Sequence, residues 1–350
     1  MRFDHGGDMF GRDFSSVCGN RPLIEHIKSE IKRGTLAHAY IIEGAKGVGK
    51  HSFAECFAAG LICEGDAVAL PCGECTACKK LAASSHPDVK LIGSEGKASI
   101  GVDIIRALRT DAYIIPSEAE RKIYIIEGAD TMTEQAQNAF LLSLEEPPAY
   151  VTYLLLCRDS SLLLETIRSR APSLRLSPAD KGELVEFILK NRSAAEKYKR
   201  LSDADKAELA VCAGGNAGRA LDLLDGSALR ERVEEKSKAF ELLKLLLSDD
   251  GEAYIAVNEQ KKLKRESVAA LLDDMLAALR DMLVSKKVSS CDTLFFVDSQ
   301  SASEAASPYS SGRLAFSLDA VYEAQKRVYA NAQITSALLS LAVQMRQTTR

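Results

Sequence analysis

The sequence predicts an α/β core built around a phosphate-binding type of loop, followed by a wholly helical second half. Three observations carry that prediction. Short apolar runs at 39–42, 89–92, 121–127 and 150–157 alternate with helical patterns, which argues a mostly parallel sheet with helices on both faces. The glycine-rich stretch Gly44-Ala45-Lys46-Gly47-Val48-Gly49-Lys50 lies between the first of these runs and a helical segment at 52–61. From Ala179 onward the pattern is helical throughout.

Strand, glycine-rich turn and helix form the setting that phosphate recognition needs. The glycines let backbone N–H groups converge on phosphate oxygens at a helix N-terminus, and Lys50 neutralises them. The following position departs from the pattern. An NTPase places Ser or Thr there to hold Mg²⁺. Here it is His51, a poor ligand for a hard cation that prefers oxygen. Ser52 comes one residue late, about 100° further round the helix. The loop therefore holds a nucleotide without supporting its hydrolysis, or holds only its own shape.

The totals set bounds. A chain of 350 residues with 46% hydrophobic content has room for two or three domains with real cores. A net charge of −4 and a pI near 5.9 argue against a protein that grips nucleic acid over a large surface by itself. No stretch reaches the roughly eighteen apolar residues of a membrane span, and residues 1–8 are too polar for a signal peptide. Five of the nine cysteines stand singly (Cys18, Cys56, Cys157, Cys212, Cys291), which suits a reducing cytoplasm. The expected location is therefore cytoplasmic.

Taken in order, 14–33 reads as an extended entry and then an amphipathic helix through Ile24, Ile27 and Ile31, with Gly34 as its stop. After the loop and its helix come Cys63, Cys72, Cys75 and Cys78. The spacing C-x8-C-x2-C-x2-C brings four thiolates close enough to close a tetrahedral site, and Gly73 permits the bend. Four cysteines with no open position predict structural Zn²⁺; free thiols in a reduced loop are the alternative. Helical spacing recurs at 100–110 and 130–144, the latter capped by Thr131 or Thr133 and stopped by Pro147-Pro148. The second half reads as three short helices (182–191, 204–212, 218–224) and three longer ones (232–247, 267–284, 318–345). The Ser-rich stretch 299–311 reads as a mobile loop. Leu271, Leu272, Met275, Leu276, Leu279 and Leu283 form an apolar stripe that serves either a bundle core or a neighbouring subunit.

Six segments occur in a fixed order: Leu36-Ala-His-Ala-Tyr40, the loop 44–50, the four cysteines, Ser85-His-Pro-Asp88, Leu144-Glu-Glu-Pro-Pro148 and Thr166-Ile-Arg-Ser-Arg170. Together they resemble the bacterial clamp-loader subunits of the AAA+ family, over nearly the whole chain. Asn331 falls where the family has its collar motif. The resemblance implies an AAA+ α/β core with a zinc module (1–177), a three-helix lid (178–228) and a helical collar (229–350). It implies partners as well. Gamma/tau-type and delta-type subunits complete a ring of five, which opens a sliding clamp and places it on primer-template DNA as part of the DNA polymerase III holoenzyme.

Within that resemblance, the residues of hydrolysis in cis are changed. ATP-hydrolysing gamma/tau-type subunits carry Ser or Thr after the loop lysine, an Asp-Glu pair after the second strand motif and a Thr at sensor 1. The corresponding residues here are His51, Glu127-Gly128 and Cys157-Arg158, and the family's Asn-Ala-Leu-Leu-Lys reads Asn138-Ala-Phe-Leu-Leu142. Ser169-Arg170 matches the family's Ser-Arg-Cys motif, with Ala171 in place of the cysteine, and implies an arginine that reaches a neighbour's ATP. Arg219 resembles the lid's sensor-2 arginine, with a solvated arginine at a helix start as the alternative. The expectation is a stator-like subunit without ATPase activity alone, whose loop residues Gly44, Gly47, Gly49 and Lys50, with Arg219, retain an optional ATP or ADP site. An active gamma/tau-type ATPase is the alternative.

Overall fold

A computed structural model describes residues 13–65, 70–94, 99–248, 264–288, 292–329 and 332–347. The N-terminal stretch 1–8, Cys291 and Asn331 lie outside them. The chain divides into two compact units, one of residues 1–196 with 215–221 and one of 197–214 with 222–350.

The first unit is built on five parallel strands: β1 Ala39–Glu43, β2 Val89–Ile92, β3 Lys122–Glu127, β4 Val151–Cys157 and β5 Ser173–Arg175. Their spatial order is β2-β3-β4-β1-β5. Central β1 pairs Ile41 with Leu155 of β4 on one side and with Ser173 of β5 on the other. Strands buried on both faces need apolar side chains at consecutive positions, and all seven residues of Val151–Cys157 are buried. Alternate residues of each strand then feed opposite layers. Tyr40, Ile42, Ile123, Ile125, Leu154 and Leu156 pack with Ile27 of α1 (Arg21–Arg33), Phe53 and Phe57 of α2 (Lys50–Ile62) and Ala77 of α3 (Thr76–Ala82). Ile41, Tyr124, Ile126, Tyr153 and Leu155 pack with Leu108 of α4 (Val102–Ala112) and Phe140 of α5 (Glu134–Glu145). Burying each such side chain stabilises the unit by about 1.5–3 kcal/mol. The expected α/β sheet with helices on both faces is present.

Local signals end the elements as the sequence suggests. Gly34 closes α1 with φ of +67°, its N–H bonded to the carbonyls of Glu30 and Ile31. Of the two threonines offered as caps, Thr133 is the one whose side chain accepts the Ala136 N–H. Asp88 of the Ser-His-Pro-Asp segment is 1% exposed and accepts N–H bonds from Ser117, Glu118 and Ala119 at 2.7–2.9 Å. Burial alone would raise its carboxyl; the donors on Ser117, Ala119 and Glu118 outweigh that and hold it below the usual carboxylate range. That segment is a structural tie between β2 and the chain entering β3.

Four helices, not three, occupy the stretch that the sequence fills with short ones: α7 Lys181–Lys190, α8 Arg192–Arg200, α9 Asp203–Ala213 and α10 Ala217–Leu223. The additional α8 buries only Ala194 and Ala195, so it carries almost no apolar period to be read. The second unit's core gathers Leu242, Leu243 and Leu246 of α11 (Gly226–Leu247), Leu272, Met275 and Leu279 of the helix Arg265–Ser285, and Leu314, Val321, Leu338 and Leu341. Leu272, Met275 and Leu279 of the apolar stripe thus serve an internal core, with Leu271, Leu276 and Leu283 packed on its margin. Two expectations are corrected here. Residues Ser299–Ala306 form a helix, started by the Asp298 carboxylate accepting the Ser301 N–H at 2.7 Å and seated through buried Ala302 and Ala306. The span 318–345 belongs to two helices, Ser311–Tyr329 and Ile334–Gln347. At that boundary the Arg265 guanidinium donates to the Val328 and Ala332 carbonyls, groups that an unbroken helix would have satisfied internally.

Candidate functional site

Parallel sheets place their binding groups beyond the carboxyl ends of the strands. At that end β1 delivers the loop 44–50, β3 delivers Glu127 and Gly128, and β4 delivers Cys157 and Arg158. The loop turns at Gly47 (φ +80°) and Gly49 (φ +100°), and Gly49 is the N-cap of α2. Gly47 is required for a second reason. A Cβ there would sit 2.5 Å from the Asn216 side-chain oxygen.

Lys50 donates to the loop's own carbonyls, Gly44 O at 2.6 Å and Ala45 O at 2.9 Å. Burial pushes its pKa down, with the nearby Arg158 acting in the same direction, and the carboxylates of Asp130 and Glu127, at and beyond the end of β3, oppose the shift. His51 points its Nε2 to Glu55 Oε1 at 3.3 Å, one turn along α2. That hydrogen bond, working against desolvation, raises the imidazole pKa above its ordinary value. An imidazole engaged with a carboxylate does not offer the oxygen ligand that Mg²⁺ takes. After β3, Gly128 adopts φ of +69° and carries no side chain to polarise a water, while the Asp130 carboxylate is taken by the Arg158 N–H at 3.0 Å. Cys157, at the place expected for sensor 1, is a buried thiol pushed up to about 12 by desolvation.

Arg219 lies in the first turn of α10 and is exposed. The residue that touches the loop is Asn216, just before that helix. Its side chain donates to Lys46 O and accepts the Arg219 N–H at 2.9 Å. The sequence marks Asn216 only as part of the turn Gly214-Gly215-Asn216; its contact with the loop, across 170 positions, leaves no local signature.

Arg170 follows the short helix α6 (Glu165–Arg168), away from the loop in sequence. Its guanidinium donates to Thr166 O at 3.1 Å and meets Glu145 Oε1 at 3.3 Å, with the side chain 37% exposed. The guanidinium is thus paired within the chain while remaining partly exposed to solvent.

The four cysteines converge. Their sulfurs all lie within 4.8 Å of one another, near the roughly 3.8 Å edge of a tetrahedron with Zn–S bonds of about 2.3 Å. Backbone N–H groups point at them: Gly65 and Cys72 at Cys63, Glu74 and Cys75 at Cys72, and Cys78 at Cys75, all at 3.3–3.5 Å. Such bonds favour thiolate. Those from Cys75 and Glu74 bring Cys72 down to about 6. Burial holds Cys63 and Cys78 above the ordinary thiol value. Gly65 belongs to this knot too, since a Cβ there would meet the Cys72 Sγ at 2.9 Å. The donor set fits a tetrahedral thiophilic ion, and Cys63, Cys72, Cys75 and Cys78 can hold one.

Comparison with known proteins agrees with this content. The family model described as DNA polymerase III, delta subunit, matches residues 19–180. The DNA polymerase III subunit delta' of Bacillus subtilis (strain 168) is 28% identical over 332 residues, which are 93% of this chain and 95% of that protein. Subunit delta' of Pseudomonas aeruginosa is 42% identical over 139 residues, 39% of this chain and 42% of its own length. Subunit tau of Escherichia coli (strain K12) is 29% identical over 267 residues, 75% of this chain and 40% of the tau chain. No helix among the described residues is long and apolar enough to cross a membrane. By this family model and these relatives, the chain is similar to the delta' subunits of DNA polymerase III and, over a shorter share of their length, to the tau subunits.

Proposed function

We propose that this chain is a non-hydrolysing clamp-loader subunit that donates Arg170 to ATP bound on a neighbouring subunit. One observation carries the reading. The side chains that hydrolysis in cis requires are replaced at three strand and helix ends (His51, Gly128, Cys157), whereas Arg170 is retained and partly exposed. A guanidinium aimed at a developing γ-phosphate charge accelerates NTP hydrolysis by roughly 10³-fold or more. In this reading the partners are gamma/tau-type and delta-type subunits in a five-membered ring that loads a sliding clamp onto primer-template DNA. Residues 178–228 act as the lid and 229–350 as the collar that joins the ring. Zn²⁺ on Cys63, Cys72, Cys75 and Cys78 supplies rigidity and no reactive position. Gly44, Gly47, Gly49, Lys50 and Arg219 form an ATP or ADP site that does not drive turnover.

The test is reconstitution with an active gamma-type subunit, a delta-type subunit, clamp and primed DNA. Arg170→Ala leaves assembly intact by size-exclusion chromatography and lowers DNA-stimulated ATP turnover at least tenfold, and Arg170→Lys does not restore it. Unchanged turnover with Arg170→Ala removes the trans-acting arginine.

A further inference from the structure

The glycine-rich loop makes a contact that its nucleotide chemistry does not call for. Each carbonyl from residue 44 to residue 47 accepts a bond from the chain itself. Lys50 Nζ serves Gly44 O and Ala45 O, the Asn216 amide serves Lys46 O, and the Gly218 N–H serves Gly47 O at 3.3 Å. Two of these four bonds come from the segment 215–221, which belongs to the same compact unit as the loop. Asn216 is 7% exposed, and its second polar atom is also committed, to the Arg219 N–H. Fit is close on both sides. A Cβ on Gly47 would collide with Asn216, and one on Gly218 would sit 3.3 Å from Gly47 O. The segment is anchored behind as well, where the Ala179 N–H donates to Gly215 O at 2.9 Å.

We infer that Asn216 is a clasp: its side-chain amide locks the segment 215–221 onto the glycine-rich loop, so that loop and segment keep their shape as one unit. The physical reason lies in the two ends of the amide. The oxygen caps the start of α10, as Asn, Asp or Ser would. Only the NH2 group can donate to the Lys46 carbonyl. Donation from the buried Asn216 amide to the Lys46 carbonyl, repeated by the parallel Gly218–Gly47 bond, ties two segments that are 170 residues apart. Opening the clasp leaves the buried amide without its acceptor, which is costly away from water. The loop's glycines are thereby explained without invoking phosphate, since Gly47 is the surface on which Asn216 rests. The inference stands apart from the trans-acting arginine.

Asn216→Asp separates cap from clasp, because a carboxylate still accepts the Arg219 N–H but cannot donate to Lys46 O. Hydrogen exchange on the full chain, read at single amides by NMR, gives the answer. The expected result is that Asp at 216 speeds exchange of the Gly218 and Val48 amides about tenfold together, while amides of β3 and β4 are unchanged. Wild-type exchange at both amides in Asn216→Asp, with only Asn216→Ala perturbing the Arg219 amide, would mean a helix cap and nothing more, and overturns the clasp. Should the aspartate variant unfold, Gly47→Ala decides. It intrudes on Asn216 from the loop side, and the clasp requires faster exchange at Gly218. Protection retained there overturns it. Neither reading involves ATP turnover, so failure of the clasp leaves the arginine proposal untouched, and the converse holds.

Discussion

The cysteine knot and the glycine-rich loop are both tight turns whose backbone is fixed by local bonds, but only one retains a full set of reactive atoms. In the knot, N–H groups point at the sulfurs and all four ligands are present within 4.8 Å. In the loop, the turn geometry at Gly47 and Gly49 is intact, yet the next side chain is an imidazole engaged with Glu55. A motif's spacing reports its backbone, while its chemistry is decided by the side chains that the backbone presents. Here Asn216 rests on the frame of the loop.

The largest effect expected from breaking this comparison is at the knot. Cys72→Ser should lower zinc from one ion per chain towards none and unfold the stretch 63–82, because ligation energy in structural sites is folding energy, on the order of 10 kcal/mol in small modules. Metal analysis and hydrogen exchange read the two consequences. A reduced, chelator-free wild-type preparation containing no zinc would place the knot beside the loop, as a frame without its ion.

A smaller effect is expected at the loop. Lys50→Ala removes two bonds to loop carbonyls and should cost about 1–2 kcal/mol in a denaturant melt. Turnover of the reconstituted loader should stay within about twofold, far from the loss expected of Arg170→Ala. Equal losses from both changes would mean that the loop still does chemistry.

The smallest effect concerns His51. Because its folded-state pKa is raised by the bond to Glu55, the pair's stabilisation is fully present below the unfolded value of about 6.5 and fades as pH rises through the folded value. With Glu55 half exposed, solvent screening limits this to below about 1 kcal/mol. An NMR titration should find the His51 midpoint above about 6.5 and see it fall in Glu55→Gln. A midpoint unmoved by that change would free His51 from the role described.

Much of this was legible in the sequence because the signals were local. Four consecutive apolar runs marked β1 to β4, the Cys-x2-Cys steps marked the knot, and Gly34 and Thr133 marked helix ends. What escaped was of three kinds. Weak apolar content hid α8 and the helix Ser299–Ala306, whose buried side chains are all alanines. Long-range contacts hid Asn216 and the Arg265 bonds that cap the end of Ser311–Tyr329, since nothing near either residue announces a partner so far along the chain. Gly65 was hidden for a third reason: its need is for space beside Cys72, which only the folded knot creates.

ATP hydrolysis by the isolated, purified chain distinguishes a loop that keeps only its frame from one that still turns over nucleotide. No turnover above a no-protein control is expected, with or without primed DNA, in the wild type and in Lys50→Ala alike. Robust turnover by the isolated wild type that disappears in Lys50→Ala would contradict that expectation. Such a result would mean that His51 and Gly128 are tolerated in a working ATPase.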